Sequence, residues 1–265
     1  MTGLAFSERR LRIGVFAVLA FFLAHTGSGG TPGISEKTRE RLSGLHLPFI
    51  ANAGQTDAAV AYYAQTFAGT IFITRDGRIV YSLPGERASA SGRGSGGRTP
   101  GWSLTETAVG GRARPSGGDR ASTRVSYFLG NDPARWRSGL ETLEDVSLGE
   151  VWPGIVVKLR AQGRSVEKLF TVQPGADASR IRMRVAGARR LGTDHAGALI
   201  ASTGPGDVTF SAPVAYQERG GVRREIQVAY DVRGRSYGFR LGGYDPALPV
   251  VIDPLLQATY LGGSG

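Results

Sequence analysis

Residues 69–83 read Gly69-Thr-Ile-Phe-Ile-Thr-Arg-Asp-Gly-Arg-Ile-Val-Tyr-Ser-Leu83, two runs of β-branched and aromatic residues either side of Asp76-Gly77. Asp-Gly is a strong hairpin signal because both positions tolerate the positive φ that a two-residue turn demands. The stretch therefore predicts two paired strands, 69–75 and 78–83. Outward from it the same period of two recurs at short intervals, over 102–109, 123–129, 155–161, 166–172, 181–185, 198–203, 208–211, 214–218, 224–232 and 237–241. Turn residues fall between these runs, among them Gln162-Gly163, Pro174-Gly175 and Gly220-Gly221. Short strands, frequent Gly and no long amphipathic helix predict an all-β fold of antiparallel, β-sandwich-like sheets with long Gly/Ser/Arg-rich loops. In Arg180-Ile-Arg-Met-Arg-Val185 the alternation places Ile181, Met183 and Val185 inward and the arginines in water.

The N-terminus has the parts of a secretory signal. Arg9, Arg10 and Arg12 precede an apolar run over residues 13–24, and small residues follow at Thr26, Gly27 and Ser28. The run is short for a bilayer span, which needs about 20 residues, so residues 1–28 are expected to be a signal peptide removed on export by the general secretory route. No membrane attachment is expected afterwards, and the expected location is secreted or cell surface. The chain has no cysteine, which excludes disulfides and a lipid-modified cysteine. Stability must then come from a packed core.

The 32 Lys plus Arg against 22 Asp plus Glu give +10, and loss of residues 1–28 leaves +8. Nearly all of the excess is Arg, the lysines being Lys37, Lys158 and Lys168. These arginines are dispersed over hairpins and loops, which argues for a basic surface and against a nucleic-acid groove. Attraction to an acidic polysaccharide or an anionic cell surface stays open.

Residues 29–46 read as a polar linker with a short helix, and 47–257 as the β domain. The Gly, Ser, Arg and Pro composition near 84–101 and 110–122 predicts mobile insertions, since it offers little to bury. Asp132, Asp245 and Asp253 each precede Pro and are expected to start turns.

Candidate chemistry is sparse. Three histidines without cysteine do not make a metal site, and His195 sits in a turn-like Thr-Asp-His-Ala-Gly phrase. The acids Glu141, Glu144, Asp145 and Glu150 have a spacing open to a glycosidase pair, but Leu143, Val146 and Leu148 among them fit a solvated strand edge. No catalytic residue, metal or cofactor is expected. Trp136, between Arg135 and Arg137, and Trp152, before Pro153-Gly154, admit two readings: platforms that stack on a sugar, with Tyr62 or Tyr63 in support, or caps on the core.

Several phrases in order carry a resemblance: LPFIANAGQ (residues 47–55), the 69–83 hairpin, YFLGNDPARW (127–136), VWPGI (151–155), VEKLFTVQPGAD (166–177), PVAYQE (213–218) and YDPALPVVIDPLLQATYLGGSG (244–265). Together they resemble the N-terminal domain of bacterial exported proteins with SBBP repeats, named for a seven-bladed β-propeller. The resemblance implies a β-rich, non-catalytic surface module of unknown biochemical role, with residues 258–265 as the truncated start of a repeat. It implies a downstream propeller domain as partner. The alternative expectation is a carbohydrate-binding module that meets cell-surface polysaccharide.

Overall fold

The structure is a computed structural model and describes residues 45–83, 101–128, 131–163, 165–204 and 206–257. The expected signal peptide, the helix of the linker, most of the first insertion and the phrase 258–265 lie outside the described residues. The predicted hairpin is present as Gly69–Thr74 paired with Ile79–Leu83, with Ile73 opposite Ile79. Its turn differs from the two-residue form. Gly77 N–H donates to the Thr74 carbonyl and Thr74 N–H to that of Arg78, and only Gly77 takes a positive φ, +82°. A three-residue loop with one left-handed Gly results, so Asp76 keeps an ordinary backbone and turns its carboxylate to the Thr74 hydroxyl and Arg78 Nε.

The strands form two antiparallel sheets. The first runs Arg190–Thr193, Leu199–Ser202, Asp207–Phe210, Leu255–Gln257, Ser165–Val172, Ile155–Gln162, Asp145–Trp152 and Ser116–Gly117. To it are joined His46–Leu47, Val250–Asp253 and the hairpin of Val214–Arg219 with Val222–Ile226. The second runs Val228–Arg233, Ser236–Leu241, Met183–Ala186, Trp102–Ala108, Ile79–Leu83, Gly69–Thr74, Val60–Thr66, Phe49–Ala51, Arg137–Leu143 and Arg120–Tyr127. The all-β, sandwich-like class expected from the sequence is the observed one.

Strict alternation drives the packing. Ile155, Val157, Leu159 and Ala161 on one strand, and Val166, Phe170 and Val172 on the next, are buried, while Val156, Lys158, Arg160, Glu167, Leu169 and Thr171 on the opposite parity are partly exposed. Each such Ile or Phe contributes roughly 1.5–3 kcal/mol by leaving water. Across the interior, Phe170 and Phe210 of the first sheet meet Tyr81, Tyr237 and Phe239 of the second, with Phe170 and Phe239 centroids 5.3 Å apart, while Trp152 stands beside Phe170 and Tyr230 beside Tyr237 and Phe239.

The chain changes sheet at single residues. Pro48 separates His46–Leu47 in the first sheet from Phe49–Ala51 in the second, and Glu144 does the same between Arg137–Leu143 and Asp145–Trp152. Residues 224–232, expected as one strand, are divided at Gln227: Val222–Ile226 pairs within the first sheet and Val228–Arg233 within the second. Residues that cross a corner keep a strand-like sequence on both sides, so composition does not mark the bend.

Two further expectations are corrected. Residues 110–122 are not a loose insertion. Arg112 and Arg114 N–H groups bond the Val151 and Leu148 carbonyls, Ser116–Gly117 pairs with Val146 and Ser147, and the chain continues directly into Arg120–Tyr127. Backbone bonding to an existing sheet edge orders a segment whose side chains bury little. Nor does Asp253-Pro254 make a turn. Val250–Asp253 and Leu255–Gln257 lie along Ser165–Val172 in one unbroken register, and only the partner on the other side changes, from Val214–Arg219 to Asp207–Phe210. Pro254, with no N–H to give, occupies the change of partner.

Candidate functional site

The most concentrated chemistry in the interior lies between the sheets. Lys168 projects from Ser165–Val172 at an inward position, between Val166 and Phe170. Glu106 projects from Trp102–Ala108 at the inward position between Leu104 and Ala108. Their exposures are 2% and 0%. Lys168 Nζ pairs with Glu106 Oε2, which also accepts from the Tyr81 hydroxyl at 2.7 Å. Tyr237 Oη accepts from Lys168 Nζ at 2.6 Å and donates to Glu106 Oε1 at 2.6 Å. The ammonium also stands 5.3 Å from the Phe210 ring centroid, on an aromatic face that favours a cation. Both carboxylate oxygens and the ammonium are thus engaged, which is the condition for keeping a charge pair out of water.

Burial pulls the Lys168 ammonium below its ordinary value, and Glu106 opposes that pull. Burial first, and then the Glu106 charge, push the Tyr81 and Tyr237 hydroxyls well above theirs, so both phenols stay protonated as donors. The arrangement suits a fixed polar link between two sheets. A charged residue at the inward parity of an alternating strand is the signal that marks it in the sequence, at Lys168 and at Glu106 alike.

The sequence-derived candidates are scattered. Trp152 is 3% exposed, with Nε1 donating to the Val109 carbonyl at 3.0 Å, so it is a core cap and not a stacking platform. Trp136 is 41% exposed beside Phe128, 64% exposed, their rings edge to face with centroids 5.5 Å apart. Tyr63 is buried and Tyr62 packs partly buried against the core. Trp136 follows the one-turn segment Pro133–Arg135, capped by the Asp132 side chain as the Asp-Pro signal predicts.

The four acids do not converge. Glu141, on the second sheet, faces Arg120 and Arg124. Asp145, on the first, is buried with Oδ2 3.5 Å from Lys158 Nζ, and Glu150 Oε1 accepts from Gly154 N–H at 2.8 Å. Glu144 uses its N–H on the Asp119 carbonyl at the corner between the sheets. His195 is exposed in a turn held by Asp194 Oδ1, which accepts from Ala196 and Ala198 N–H. Among the described residues, no group of three or more His, Cys, Asp or Glu is arranged to hold a metal ion.

Over residues 49–255 the sequence matches a family described as a domain of unknown function, DUF7948. The chain belongs to that family. The DUF7948 match opens at Phe49, where the chain first enters the second sheet, and closes at Leu255, in the last described strand of the first. Both halves of the Lys168–Glu106 link fall inside it. No curated protein and no solved structure matches the chain.

Proposed function

We propose that the chain is an exported, non-catalytic structural or interaction module, the head domain that precedes an SBBP β-propeller repeat array. One observation carries this reading. The strand Leu255–Gln257 is bonded on both sides, to Ser165–Val172 and to Asp207–Phe210, in the interior of a finished sheet. In this reading the phrase 258–265, next along the chain after that strand, opens a further unit. The strongest buried ionisable groups are spent on joining the two sheets, which suits a scaffold.

Export is tested by fractionating cells that express the full chain and sequencing the N-terminus of the product. A processed chain beginning near residue 29 outside the cytoplasm supports the reading; an intact cytoplasmic chain refutes it. The head-domain reading is tested by extending the chain with Gly-rich repeats and digesting it lightly. Cleavage just after Gln257 that leaves a stable unit is expected, and preferential cleavage within 45–83 or 102–257 counts against a separate head.

A second reading, a carbohydrate-binding module, is favoured by the exposed edge-to-face pair of Phe128 and Trp136. Polysaccharide binding that survives Trp136→Ala removes Trp136 as its platform.

A further inference from the structure

The outer face of one end of the second sheet carries a block of arginines whose places are set by strand register. Arg184 lies opposite Ser236, and Ser236 opposite Arg233, across three neighbouring strands. One row along, Asp231 lies opposite Gly238, and the Arg182 side chain crosses that glycine to reach Asp231, with Nη2 2.6 Å from Oδ2 and Nη1 2.8 Å from the backbone carbonyl. A Cβ on Gly238 would stand 3.3 Å from the Arg182 guanidinium carbon, so the missing side chain opens the path. In the next row Arg240 is opposite Ala229, and Arg235 occupies the turn beside Arg233.

Asp231 takes both Arg182 and Arg233. Among the described residues, Arg184, Arg235 and Arg240 have no acidic partner within ion-pair distance, and all three are exposed. A cationic face set by strand register is left uncompensated, with the Ser236 side chain between Arg233 and Arg184 and the Thr107 side chain on the far side of Arg184.

We propose that this face binds an acidic polysaccharide, its carboxylate or sulfate groups held by Arg184, Arg235 and Arg240. Guanidinium forks match such planar or branched anions in pairs of hydrogen bonds, and the Ser236 and Thr107 hydroxyls on either side of Arg184 suit sugar hydroxyl groups, Ser236 as an acceptor because it donates to the Arg233 carbonyl. The surface does not suit the other polyanions. Among the described residues it presents no exposed aromatic ring on which a single-stranded base would stack, and the exposed Val109 beside Arg182 is too small an apolar flank for a segment that enters a lipid surface. Trp136 lies toward the opposite edge of the same sheet, so this site is separate from the aromatic one. The inference rests on the reading of the chain as a surface module, because that location supplies the partner.

The experiment titrates the full chain with polygalacturonate and with heparin, and with duplex DNA and phosphatidylglycerol vesicles as rivals. Expected is binding to one or both polysaccharides that weakens as salt rises, and about tenfold or greater loss in R184E/R235E/R240E. The variant R112E/R114E/R224E, with the same change of net charge elsewhere on the surface, is expected to bind close to normally. Equal loss in both variants overturns the site, as does tighter binding to DNA or vesicles, or no polysaccharide binding by a folded chain. Circular dichroism confirms folding, and R184Q/R235Q/R240Q, which removes charge without reversing it, must weaken binding in the same direction. Binding by a chain that fractionation finds in the cytoplasm would sink the export reading and leave the site standing; an exported chain that does not bind would do the reverse.

Discussion

Lys168 and Glu106 come from different sheets, 62 residues apart in sequence, and meet in the core with Tyr81 and Tyr237 completing their hydrogen bonds. The pair fixes which inward position of one sheet faces which of the other. A sheet displaced by two residues would strand a charge among Phe170, Phe210 and Leu104.

Lys168→Met alone should destabilise the domain by about 3–5 kcal/mol, because it leaves the Glu106 carboxylate buried without a counter-charge. Glu106→Leu with Lys168→Met should cost much less than the two single changes added together. Urea unfolding of all four chains tests this. Additive single and double effects would show that the two side chains do not act as a pair.

Trp152→Ala should cost about 3–5 kcal/mol, as loss of a buried indole does, while Trp136→Ala should fall within about 0.5 kcal/mol of the parent. Thermal melts of both variants separate the two roles. Acrylamide quenching of the remaining tryptophans should be stronger in the Trp152→Phe chain than in the Trp136→Phe chain, since only Trp136 of the two is half in water.

Gly77→Ala should be more damaging than Gly220→Ala. Both glycines have positive φ, but a Cβ on Gly77 would come 2.1 Å from Ala113 Cβ, whereas one on Gly220 meets nothing within 4 Å. The Gly220 change should cost about 1 kcal/mol from backbone strain, and the Gly77 change clearly more, read as a difference in urea midpoint.

Stability near Asp253 should vary with pH in the direction opposite to a salt-bridged carboxylate. Burial, and then the nearby Glu167, lift its carboxyl from 3.8 to about 6, with Arg160 and Arg223 pulling the other way. A raised folded value means a contribution that is complete below about pH 4 and lost as pH rises through 6. Asp253→Asn should therefore be the more stable chain at pH 8, by about 1–2 kcal/mol once the shift is discounted for partial exposure, and the gap should close by pH 4. Asp231, held below its ordinary value by hydrogen bonds from Arg182 and then Arg233 against some burial, loses its contribution as pH falls, but equally in both chains. Melting wild type and variant across this range makes the comparison, and a constant gap would show that Asp253 does not titrate there.

Much of the sandwich was legible residue by residue. The strands around Asp76-Gly77, those of residues 155–161 and 166–172, and the inward set Ile181, Met183 and Val185 follow from alternation, which is a local property. Strands Val60–Thr66, Arg137–Leu143, Asp145–Trp152 and Arg190–Thr193 were less legible, because Gly, acids or adjacent tyrosines blur their period. Arg182 reads as one of three outward arginines, but it is the one drawn across Gly238 to Asp231. That contact depends on a strand 49 residues away.

By itself, then, the sequence determined the class of fold, the parity of its strands and the need for a core without disulfides, since period, turn chemistry and composition act over a few neighbouring residues. Only the tertiary structure decided which sheet each strand joins, that Trp152 is sealed while Trp136 is not, that residues 110–122 are held, and that Lys168 finds Glu106. Each of these is settled by partners far along the chain. A strand's alternation says which side is buried, and carries no information about what is buried against it.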